Sequence, residues 1–114
     1  MALPQMFWSD PEWVTPDEIR QHFNQSQLFE RANQGELKRR VWGTDNHLSS
    51  YQRRKVKEPR CTRSQMVLYL TSDDKPLALI HQYRRRDGDL GGSGRPDPKR
   101  LFVDGRILAV RQSV

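Results

Sequence analysis

The amino-acid sequence predicts an α+β fold in which N-terminal short helices pack on an antiparallel sheet of four to five strands ending in a C-terminal hairpin. Three observations predict it. "TPDE" at 15–18 is a helix start, "SQMVLYLTSDDKPLALIHQYRR" at 64–85 alternates apolar groups about a turn, and Asp104-Gly105 separates two apolar runs. Length and composition agree with one small domain over 1–114: 34% of the 114 residues are hydrophobic and 30% charged, so the core is modest and the surface strongly solvated.

The first helix follows from its start. Thr15 caps, Pro16 takes the first helical position, Glu18 completes a capping box, and Asp17 and Glu18 suit the positive end of the helix dipole. Ile19, His22 and Phe23 then share a face, and the helix ends near Asn24. A second helix is predicted with Ser26 as cap, Leu28, Phe29 and Ala32 as its apolar stripe, and Gly35 as its stop. "ELKRRVW" at 36–42 fits either a helix face or a strand face; Val41, Trp42 and the flanking glycines favour a strand. Residues 43–64 are polar and basic without a period, which predicts a long loop or, over "SYQRRKVKE", an edge strand.

In the next segment Met66, Leu68 and Leu70 alternate with Val67 and Tyr69, so both faces are apolar and the strand is central. After a turn at 72–76, Leu77, Leu79, His81 and Tyr83 alternate with Ala78, Ile80 and Gln82. The Asp104-Gly105 dipeptide supplies the positive backbone angles of a two-residue primed turn. The chain thus reads as an acidic helical front (1–36), a basic loop or edge strand (37–64) and an antiparallel sheet (65–114) carrying a Gly/Pro-rich loop at 87–98.

Charge points to the partner. The net charge is +6, and it is unevenly placed: residues 1–36 hold two basic groups against six acids, and residues 37–114 hold 18 against eight. Such a field draws in polyanions. Two clusters carry it. The first is Tyr51, Arg53, Arg54, Lys55 and Lys57; the second is Arg84, Arg85, Arg86, Arg95, Lys99 and Arg100, which flank Gly91–Gly94, where no side chain blocks the approach of an anion to backbone amides. Neither the GxxxxGK[ST] nor the GxGxxG spacing is present, so this loop is not a nucleotide-binding signature. If both clusters lie on one side of the sheet, they form one continuous basic surface. The expected function is binding of nucleic acid or a nucleoprotein complex through phosphate contacts, without catalysis.

Two alternatives rest on other residues. Trp8 and Trp13 stand among acids ahead of the first helix, where they either pack on the sheet or anchor a protein partner with an acidic surface, as an inhibitor or accessory subunit would. His81 and Tyr83, beside the arginine run, are the candidate groups for metal-independent RNA cleavage. On that reading the layout of helices followed by a sheet resembles, in architecture alone, the compact basic endoribonuclease toxins of the RelE type. His22 and His47 lack metal-ligand spacing and Asp73-Asp74 reads as a turn, so no metal and no cofactor is expected. Cys61 is the single cysteine, which excludes a disulfide within one chain and fits a reducing compartment. With no signal-like start and no apolar run of spanning length, the expectation is a cytoplasmic protein that does not enter membranes.

Overall fold

Thr15 begins the first helix as its side chain predicts. In the computed structural model, which describes residues 6–111, the Thr15 hydroxyl accepts from the Glu18 N–H at 3.1 Å, while the Glu18 carboxylate accepts from the Thr15 N–H at 3.3 Å. A cap of this kind is worth about 1 kcal/mol. Helix α1 spans Pro16–Gln25 and buries Ile19 and Phe23 completely; α2 spans Leu28–Asn33 and buries Leu28 and Ala32. Ser26 is not the cap of α2. It closes α1, and Gln27 enters the left-handed region (φ 54°) to reverse the chain without any side-chain cap bond.

The sheet has six strands rather than four or five, and it is mixed. They are β1 (Glu12–Trp13), β2 (Lys38–His47), β3 (Arg63–Leu70), β4 (Pro76–Arg84), β5 (Asp97–Val103) and β6 (Arg106–Ala109), in the spatial order β1-β6-β5-β4-β3-β2. All neighbours are antiparallel except β1, which runs parallel to β6 with Trp13 opposite Ala109. A two-residue strand beside Pro11 leaves no periodicity to read. The hairpin at 104–105 forms as expected, with φ of 52° at Asp104 and 72° at Gly105.

Residues 43–64 depart most from expectation. Strand β2 continues through Gly43 to His47, and "SYQRRKV" is a helix, α3 (Ser50–Val56), not a loop or an edge strand. Its start is a second capping box: the Ser49 hydroxyl accepts from the Gln52 N–H at 3.1 Å and the Gln52 side chain accepts from the Ser49 N–H at 2.9 Å. Strand β2 passes Gly43 by a bulge. Val41 faces Val67 and Asp45 faces Gln65, so Trp42, Gly43 and Thr44 together oppose Met66, and Gly43 takes a φ of 84° that a side chain would strain.

The two faces of the sheet are covered unequally. On one, α1 and α2 close over Val67, Tyr69, Ala78, Ile80, Leu101 and Leu108, the main core. On the other, Phe7 covers Leu68, Leu70 and Ile107, and among the described residues only the half of the face near these is shielded. Burial of Phe7 or Phe23 contributes about 1.5–3 kcal/mol each. Among the described residues no helix is long and apolar enough to cross a membrane.

Candidate nucleic-acid interface

A buried carboxylate joins the two basic clusters. Glu58, just past the end of α3, has a side chain only 1% exposed. Its Oε1 accepts from Arg85 Nε at 2.9 Å and its Oε2 from the Gly92 N–H at 2.7 Å. Gly91 lies against the same carboxylate so closely that a methyl group there would overlap it. The glycine loop therefore does what its chemistry allows, presenting backbone N–H to an anion, but the anion belongs to the chain itself. Arg85 and, to a lesser degree, the Gly92 N–H hold the Glu58 carboxyl below its usual range, against the opposing effect of burial.

This clasp places α3 beside the end of β4. There the chain turns tightly, with Arg85 N–H donating to Asp89 C=O at 2.8 Å and Gly91 N–H to Tyr83 C=O at 2.7 Å, and Pro59, Arg60, Arg85, Arg86 and Asp87 line one shallow pocket. The region 50–60 together with 84–89 holds eight cationic side chains against three acids, Glu58, Asp87 and Asp89.

What distinguishes this end is the state of its cations. Among the described residues ten Lys and Arg side chains have a carboxylate within 4.0 Å, and acids of the front neutralise several: Glu12 pairs Arg106, Asp17 pairs Arg20, Glu30 pairs Arg95 and Glu36 pairs Arg31. Arg39, Arg100 and Arg111 are held by neutral groups, the first by Asn33, the second by the carbonyls of Phe7 and Ser9, and the third over the Trp13 ring. The seven that remain are Arg53, Arg54, Lys55, Lys57, Arg60, Arg84 and Arg86, all at this end. Tyr51, on the first turn of α3, is 65% exposed.

The other residues expected to bind phosphate are engaged elsewhere. Arg95 bonds Glu30 at 2.9 Å and Asn24 at 3.0 Å, Lys99 bonds Asp97 at 2.9 Å, and Arg100 lies over the rings of Phe7 and Trp8. Trp13 stands on the exposed edge strand β1, while Trp8 stacks on Trp42 with ring centroids 5.3 Å apart. Glu58 was not foreseen as a structural centre; the local signal is an acid inside a basic run, a position that needs a reason.

His81 and Tyr83 do lie together, edge to face at 4.8 Å, on the half of the sheet face away from Phe7. Ser64, also unforeseen, places its Oγ 2.7 Å from His81 Nε2. Burial first, and then the Lys99 ammonium, push the imidazole below its ordinary value, with Asp97 opposing. The folded state therefore disfavours the imidazolium, and stability is predicted to fall as pH drops from about 6.5 toward the lowered value. Thermal melts from pH 7.5 to 5.5 check this: His81→Gln should flatten the profile.

No group of three His, Cys, Asp or Glu among the described residues is arranged to hold a metal ion. Comparison of the chain with protein-family models, with curated proteins and with solved structures finds no match.

Proposed function

We propose that this chain binds nucleic acid, free or within a nucleoprotein complex, through phosphate contacts at the end of the molecule formed by α3 and the β4 turn. The observation that supports it is that the seven cations without a partner among the described residues gather there, held in register by the Glu58–Arg85 clasp. Exposed, uncompensated guanidinium and ammonium groups release condensed counterions when they meet a phosphate backbone, which is the main source of affinity in such complexes. Arg53, Arg54, Lys55, Lys57, Arg60, Arg84 and Arg86 are the contacting residues in this reading, with Tyr51 beside them. Arg85 positions the two segments. The single exposed thiol of Cys61 suits a reducing compartment such as the cytoplasm.

The test is binding of the purified chain to short labelled RNA and DNA, single-stranded and duplex, across a salt series, with the strands run on a denaturing gel afterwards. Affinity that falls steeply with salt on intact strands supports the reading; absence of binding at moderate salt overturns it.

A second reading, a metal-independent endoribonuclease, draws on the pairing of His81 with Ser64. A neutral imidazole is suited to take the proton of a ribose 2′-hydroxyl as that oxygen attacks phosphorus and the 5′-oxygen leaves, with the charge on the phosphorane met by nearby cations. It predicts cut strands on the same gel, abolished in His81→Ala with binding retained within a few-fold. Intact strands with wild-type protein exclude it.

A further inference from the structure

Beyond the basic end, the sheet has a half-face that no helix among the described residues covers and that the phosphate contacts do not use. Tyr83, one residue before Arg84, opens it, followed along β4 by His81 and across β3 by Ser64 and Met66, all half-buried. Together with Thr44, Lys99 and the Gly91–Ser93 segment they line one part of an open groove of about 1010 Å³ in all, which continues past the start of β5 to Arg20 and Phe23 of α1. The groove is continuous with the clasp, since Gly91 and Gly92 lie against Glu58 and Gly91 bonds Tyr83.

At the far side of this face stands a second aromatic feature. The β2 bulge opposite Met66 turns Trp42 outward, where its ring lies within 17° of parallel to that of Trp8. Both remain exposed, at 43% and 41%, and Arg100 stands over the Trp8 ring. Two adjacent strands are about 4.8 Å apart, so the step from His81 to the bulge on β2 is roughly 10 Å across the sheet.

We propose that the nucleic acid held at the basic end is a single strand, with its bases laid on this half-face between Tyr83 and the Trp8–Trp42 pair. The proposal rests on the nucleic-acid reading above and names the form of that ligand. Unstacked bases bring flat apolar faces, which aromatic rings accept whatever the base, while a neighbouring cationic track follows the phosphates. A duplex keeps its bases stacked inside and presents only phosphate and groove edges, so it would reach the cations of α3 but leave the aromatic face empty. Of the cations near the face, Lys99 is paired with Asp97 and Arg100 stands at the tryptophans held by backbone carbonyls, so the cationic track that follows the phosphates is that of the adjoining basic end, which begins at Arg84 where β4 ends.

Tyr83→Ala and Trp42→Ala test it, each checked for fold by circular dichroism and thermal melting. Anisotropy titrations use a labelled 12-nucleotide RNA of mixed sequence and its blunt duplex, at several salt concentrations. The wild type is expected to prefer the single strand, and each variant to bind it about tenfold more weakly, with duplex affinity and the salt slope unchanged. Wild-type binding that does not distinguish the two forms, or variants that bind the single strand as the wild type does, overturns the base platform and leaves the phosphate reading standing. Loss of duplex and single-strand binding alike in both variants would mean that the rings serve the fold or another occupant, such as a protein or the chain's own terminus, and also overturns it. Absence of any binding by the wild type overturns both readings.

Discussion

Replacing Arg54, Lys55, Arg84 and Arg86 together by alanine is expected to lower affinity for a single strand several hundred-fold at 0.1 M salt. The size follows from counterion release. Each lost phosphate contact removes about 0.7 from the slope of log affinity against log salt, so four remove about 2.8, and at a tenfold lower salt than 1 M that is a factor of roughly 600. Anisotropy titrations at three salt concentrations read both quantities. The fold should not suffer, because the four side chains are exposed and have no carboxylate partner among the described residues; such surface changes alter stability by about 0.5 kcal/mol or less. A control comes from Lys38, Arg40 and Lys75, which are paired with Asp74 or Asp73 in the same chain. Alanine at these three should change affinity only a few-fold, although the formal charge removed is nearly the same.

The second large effect concerns Glu58. Charge counting predicts that Glu58→Gln, which removes a negative charge from a basic surface, tightens binding. The structure predicts the reverse. The carboxylate is buried, takes Arg85 on one oxygen and the Gly92 N–H on the other, and ties α3 to the β4 turn. Removing one partner of a buried pair costs about 3–5 kcal/mol, but the Arg85 side chain is 38% exposed and recovers part of its hydration, so the expected loss is about 2 kcal/mol. In a chain of this size that lowers the melting temperature by about 10 °C. Because the clasp sets the spacing of the two cation groups, affinity should fall with it. Thermal melts and binding titrations on the same samples check both. A variant that is stable and binds more tightly would show Glu58 to be only a counter-charge.

Local chemistry made much of this fold legible. The box at Thr15 and Glu18, the alternation in β3 and β4 and the Asp104-Gly105 turn each depend on residues within a few positions of one another, and each forms as its residues dictate. Helix α3 also carries a local signal, since Ser49 and Gln52 have capping-box spacing, but the lack of an apolar stripe in "SYQRRKV" hid it. No residue of that helix is buried; it is held by its caps and by the clasp beyond its end rather than by a core. Strand β1 left no trace because two residues cannot show a period, and its partner β6 lies 94 positions away, as the Glu12–Arg106 pair shows.

The site was legible as chemistry and not as geometry. Two basic clusters and a glycine loop are visible in the chain, yet nothing local says that the loop takes Glu58 as its anion, or that Arg95, Lys99 and Arg100 find partners of their own. These contacts span 34 to 93 positions, apart from the Lys99–Asp97 pair. Which cations remain available is therefore a tertiary property. The sequence-level imbalance between front and body resolves into a different division, in which front acids take Arg95 and Arg106, acids of the body take most other sheet cations, and among the described residues one end is left without carboxylate partners.

The most direct test of that division is to map the bound ligand on the protein. Amide chemical shifts of the isotopically labelled chain, followed by NMR while a short RNA strand is added at low salt, report which backbone positions sense it. The account predicts that the largest changes fall on 50–60 and 84–86. Changes confined to α1, α2 and the β1 edge, with the α3 and β4 amides unmoved, would contradict it.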